Sequence, residues 1–149
     1  MTHRVDVAAE GVRVPVSRAC MADAVRLVLR AERVPDAEVS IALVTDARIA
    51  TLNRRHLGHR GATDVISFGM GRTVAGEPLV GDIYIAPGVA ARSARERGIP
   101  VREELLRLVV HGTLHVIGHD HPDGEERVHS PMWKRQEQLL RRVLRGAAR

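Results

Sequence analysis

Single valines set among charges from Arg4 to Val7 read as a short strand, and the apolar run Val39 to Val44 reads as a second. Between them the spacing changes. Met21, Val25, Val28 and Leu29 recur at helical intervals, Ser17 stands where an N-cap belongs, and the helix runs to about Arg33 before Pro35 ends it. Asp46 is placed to cap a further helix through Ile49 and Leu52 to about Arg55, followed by a loop from Leu57 to Ala62. Two β-rich runs, Asp64 to Phe68 and Val80 to Ile85, flank the Gly-rich polar stretch Gly69 to Pro78 and read as strands of one sheet with a flexible connection. Pro87 starts a helix that Gly98 ends. Pro100 starts another, with Glu103 and Glu104 in its first turn, where the helix dipole favours negative charge. A final helix is expected from about Gly124 to Arg145, with Pro131 marking a break or a late start.

Strands interleaved with helices in so short a chain predict an α+β, α/β-like fold with a mixed sheet of about four strands packed against several helices. A chain of 149 residues without repeats or low-complexity tracts is expected to form one domain, 1–149. Composition narrows the partners. The chain has one Phe, one Tyr and one Trp, so a surface that stacks many bases on aromatic rings is excluded and backbone contacts become the expected grip on nucleic acid. Cys20 is the sole cysteine, which rules out an intramolecular disulfide and a Cys-rich zinc site and fits a reducing cytoplasm. No apolar run reaches the roughly 18 residues of a membrane span, so neither export nor insertion is expected.

The net charge of +5 is concentrated at one end. From Trp133 to Arg149 there are six cations, Lys134, Arg135, Arg141, Arg142, Arg145 and Arg149, against the single anion Glu137, and the rest of the chain is neutral overall. A basic helix of this kind suits a polyanion such as RNA. It equally suits a solvated, arginine-rich terminal helix.

The most informative stretch is His111-Gly112-Thr113-Leu114-His115-Val116-Ile117-Gly118-His119-Asp120-His121. On a helix His111 and His115 share a face, so two imidazoles can converge on one ion. Gly118 readily takes the left-handed conformation that ends a helix, which lets His121 return to the same ion. His119 competes as third ligand, but in a continuous helix it would lie about 12 Å along the axis from His111. With a break at Gly118 it becomes a supporting or substrate-facing group, and Asp120 could orient an imidazole. The expected metal ligands are therefore His111, His115 and His121, on a central helix and the turn after it. The expected cofactor is Zn2+, about one per chain, with water in the open fourth position as the catalytic group. A zincin protease would carry a Glu beside the first His as its general base, and that position is Gly112, so peptide hydrolysis is disfavoured.

These residues resemble the YbeY family, whose arrangement His-Gly-x-Leu-His, Gly, Asp-His is matched by His111, Gly112, Leu114, His115, Gly118, Asp120 and His121. The likeness extends to Leu52-Asn53, to Thr63-Asp64-Val65-Ile66-Ser67-Phe68 and to Gly81-Asp82-Ile83-Tyr84-Ile85, and so spans about Val39 to Leu144. It implies a cytoplasmic, zinc-dependent endoribonuclease acting on single-stranded RNA in ribosomal RNA maturation, particularly at the small-subunit 3′ end, and in ribosome quality control. The implied partners are ribosomal RNA, the ribosome or ribosome-assembly proteins, with no membrane and no DNA. Many members carry a functional Arg where this chain has Leu57; Arg54, Arg55 and above all Arg60 are the candidates to offer phosphate a guanidinium instead, though all three also suit solvated positions. Asp64 and Asp82 could be catalytic carboxylates or could bond to backbone. Whether water or the 2′-hydroxyl attacks stays open. A competing expectation is a zinc-containing ribosome-assembly or RNA-binding factor with little catalysis of its own.

Overall fold

Side chains along a strand alternate between faces, and the pattern Ala37, Val39, Ile41, Leu43 is buried on one side while Glu38 is exposed on the other. This strand lies near the middle of the sheet in a computed structural model that describes residues 1–69 and 76–147. The strands are β1 (Thr2–Ala9), β2 (Asp36–Leu43), β3 (Val65–Gly69) and β4 (Leu79–Ile85). Their order is β1-β2-β4-β3, with β1, β2 and β4 parallel and β3 antiparallel on the edge. The helices are α1 (Arg18–Ala31), α2 (Asp46–Leu52), α3 (Pro87–Arg97), α4 (Val101–Ile117) and α5 (Pro131–Ala147). The mixed four-stranded sheet with packed helices is the expected fold class. No helix among the described residues is long and apolar enough to cross a membrane.

Two apolar clusters hold the layers together. The larger joins β2 and β4 to α1, α4 and α5 through residues such as Met21, Leu29, Ile41, Ile83, Leu105, Leu114 and Leu139. The smaller, Val44, Ile49, Leu52, Ile66 and Ala86, seats α2, and Phe68 and Tyr84 pack against it. Helix α4 lies close enough to the sheet to forbid side chains at the contact. A Cβ on Gly112 would stand 2.8 Å from Ile83 Cγ2, and one on Gly81 would stand 2.3 Å from Val116 Cγ1. Real Cβ atoms do not approach that closely, so these glycines set the helix-to-sheet distance.

Several element ends differ from the sequence reading for local reasons. Thr45 rather than Asp46 caps α2, its hydroxyl accepting from Arg48 N at 3.2 Å, while Asp46 pairs with Arg92 at 2.7 Å. After α2 the chain widens into a π-helical turn, Asn53–Leu57, and buried Asn53 donates to Gly61 O at 3.1 Å, closing the loop. The helix expected from Gly124 is a 3-10 turn, Gly124–His129, and α5 begins afresh at Pro131, where Ser130 Oγ accepts from Trp133 N at 3.2 Å. Proline suits that first position because its missing N–H has no helical partner there. Strands β1 and β2 begin earlier than expected because β1 finds parallel partners along the whole of β2. Most of the Gly69 to Pro78 connection, including Arg72, and Arg149 at the chain end lie outside the described residues.

Candidate metal centre

His111 and His115 project from the same face of α4, with ring centroids 4.7 Å apart. The helix stops at Gly118, whose φ of +120° is a backbone conformation that side-chain-bearing residues seldom adopt. The returning chain brings His121 to within 5.1 Å of the His111 ring and 4.9 Å of the His115 ring. The potential ligand atoms of the three residues all lie within 4.8 Å of one another, and among the described residues no fourth His, Cys, Asp or Glu joins them. His119 turns away, as a break at Gly118 requires. Its Nε2 meets Glu32 at the end of α1, and the other Glu32 oxygen accepts from Arg135 Nε at 3.0 Å on α5. His119 thereby anchors the turn that carries His121.

Neighbouring groups orient two of the rings. His111 Nδ1 donates to Gln136 Oε1 at 2.6 Å, and His121 Nδ1 donates to the Pro122 carbonyl at 2.9 Å, which leaves Nε2 of each ring with its lone pair. Asp120 fixes the backbone of the turn by accepting from His121 N at 2.8 Å. Burial pushes the His111 pKa down to about 4, helped by the nearby His115 and His121 charges, and burial also lowers that of His115. Neutral imidazoles at pH 7 are the ligand form, and an all-nitrogen set with an open side fits a borderline metal such as zinc in a catalytic arrangement.

Beside His111 opens a cleft of about 160 Å³ lined by Asp64, Arg97, Glu104, Arg107, Arg127 and Trp133, among others. Desolvation together with the Glu104 charge raises the pKa of the Asp64 carboxyl, against the opposing influence of Arg127 and the adjoining backbone N–H groups. Asp64 thus stands at the cleft beside His111. Asp82 lies elsewhere, accepting from Ser40 Oγ at 2.5 Å on the exposed sheet face with Arg4, Asp6 and Glu38.

A sequence profile of the endoribonuclease YbeY family matches residues 8–144. The chain belongs to the YbeY family. It is 40% identical over 119 residues to an endoribonuclease YbeY of Syntrophotalea carbinolica, covering 78% of this chain and 79% of that protein. It is 38% identical over 144 residues to the endoribonuclease YbeY of Thermobifida fusca, covering 91% of each. The solution structure of TM1509 from Thermotoga maritima superposes with a TM-score of 0.60 at 26% identity, over 93% of this chain and 88% of that one.

Within this YbeY framework the absence of a zincin-type glutamate has a packing cause. Position 112 faces Ile83 of the sheet across a gap too small for a Cβ, so a side chain there could not reach the cluster. Leu57, where many family members carry Arg, is 48% exposed at the end of the π-helical turn. Arg60 stands with Arg54 in a separate depression beside Ala50, Thr51 and Gly61 and does not line the histidine cleft. The residues that the sequence did not single out are Gln136, Arg127 and Trp133. They belong to the 3-10 turn and α5, and only tertiary packing brings them to α4.

Proposed function

We propose that this YbeY-family chain, acting as one domain over 1–149, is a zinc-dependent endoribonuclease that cuts single-stranded ribosomal RNA late in maturation. Its expected substrate region is the 3′ end of the small-subunit RNA, its expected setting the cytoplasm, and its expected partners the ribosome or ribosome-assembly proteins. The observation that carries the reading is the convergence of His111, His115 and His121 beside a cleft that contains cations. An ion held there would supply Lewis acidity to a phosphate oxygen and lower the pKa of a coordinated oxygen nucleophile. The chain's own residues do the rest. Gln136 holds His111 in one tautomer, the Asp120–Pro122 turn aims His121, and the cleft places a guanidinium, Arg127, near the cluster. Arg60 keeps a proposed role in gripping phosphate only for a strand that runs beyond this cleft.

A purely structural zinc in an RNA-binding assembly factor is the second reading, favoured by the basic face of α5. The lack of a fourth protein ligand among the described residues weighs against it, because structural zinc sites are closed. Elemental analysis of purified protein is expected to give about one zinc per chain. The paired substitutions His111→Ala and His115→Ala should abolish it, and metal retained in that variant would overturn the ligand set.

A further inference from the structure

Three guanidiniums reach the cleft beside His111, and two of them are committed. Arg107 bonds Glu137 at 3.0 Å, Glu104 at 3.1 Å and Glu103 at 3.2 Å, and Arg97 pairs with the other oxygen of buried Glu104. Arg127 differs. It is exposed, it forms no ion pair with a carboxylate among the described residues, and its guanidinium lies over the Trp133 ring, the central carbon 5.6 Å from the ring centroid. It lines the cleft together with Asp64 and His111.

Trp133 is half-buried at the start of α5 and lines the same cleft. The other two aromatic side chains are engaged elsewhere. Phe68 and Tyr84 meet edge to face at 6.0 Å in the cluster under α2, and His56 stands against Phe68 at 5.3 Å. Among the Phe, Tyr and Trp side chains, the indole is the one that lines the histidine cleft. A flat ring beside a solvent-exposed guanidinium that no carboxylate ties down can receive a nucleotide, because every base has a π face and every linkage carries a phosphate.

We propose that Trp133 and Arg127 form a nucleotide subsite beside His111, in which one unpaired nucleobase stacks on the indole, taking the ring face that the exposed Arg127 covers, while that guanidinium turns to the adjoining phosphate. The inference rests on the ribonuclease reading of the histidine cluster and deepens it. A base inside a duplex has both faces covered by its neighbours, so the subsite selects single strands. With a single ring available, it orders one base rather than a run.

Trp133 is the only tryptophan, so intrinsic emission reports on this subsite alone. The test titrates zinc-loaded, full-length protein with a single-stranded hexa-adenylate, following tryptophan emission and, with a labelled strand, anisotropy in parallel. Emission is expected to be quenched over the concentration range in which anisotropy rises, with no change on adding the strand as a duplex or inorganic phosphate alone. Trp133→Ala should weaken binding roughly tenfold, Trp133→Phe should restore most of it, and Arg127→Ala should weaken it and lower the salt slope by about one. Both side chains reach solvent, and circular dichroism of each variant verifies its fold. Binding and cleavage with unchanged emission, or full affinity in a folded Trp133→Ala variant, would overturn the subsite alone. Neither binding nor cleavage of any strand would overturn the subsite and the ribonuclease reading together.

Discussion

Asp64 shows what the cleft costs. Its carboxyl is desolvated and faces Glu104, so its folded-state pKa is raised above the ordinary carboxylate value of about 3.9. A raised carboxylate pKa makes Asp64 favourable to folding at low pH, and this contribution is lost as pH rises through the folded-state value. Asp64→Asn keeps the shape but removes the charge. It is expected to raise the melting temperature at pH 7, with the difference vanishing below about pH 4, where the carboxyl is neutral in both states. A lower melting temperature at pH 7 would mean that attraction to Arg127 outweighs burial. At this scale the convergence of His111, His115 and His121 was legible because spacing along one helix is a local property, and Gly118 announced the turn. Gln136 was not, because its bond to His111 spans 25 positions and depends on how α5 packs against α4.

At the scale of elements, α4 positions the site by lying tightly against β4. Gly112→Ala is expected to destabilise the fold by roughly 1–3 kcal/mol, since the added methyl meets Ile83 in a filled core. The double variant with Ile83→Ala should lose less than the sum of the two single losses, as measured by denaturant unfolding; simple additivity would remove the contact from the explanation. Ser17 as a cap, Gly98 and Gly118 as stops and a strand at Val39 to Val44 could all be read from the sequence, since each is a short-range signal. The strand order β1-β2-β4-β3 and the 3-10 turn before α5 could not. Which strand pairs with which depends on contacts remote in sequence, and although Pro131 marks a break or late start, the charged, helix-compatible residues Glu125, Glu126 and Arg127 do not reveal that the chain before it forms a 3-10 turn.

For the whole molecule, the proposed function rests on charge to meet RNA and on a bound metal to cut it. Lys134, Arg141, Arg142 and Arg145 are exposed on α5, while Arg135 is tied to Glu32, so the basic surface is a stripe along one helix face. Charge reversal at Arg141, Arg142 and Arg145 together is expected to weaken RNA binding and flatten its salt dependence, because fewer phosphate counterions are released. An unchanged slope would assign the stripe to solubility. The central claim is that the ion held by His111, His115 and His121 cuts RNA, and the rate of cleavage of a single-stranded RNA tests it most directly. Wild-type protein should cut, lose cleavage on chelation and regain it with zinc, while His115→Ala, purified alongside and shown to be folded, should stay inactive under all three conditions. Cleavage by His115→Ala at the wild-type rate, or cleavage by wild-type protein undiminished after its metal has been removed, would contradict it.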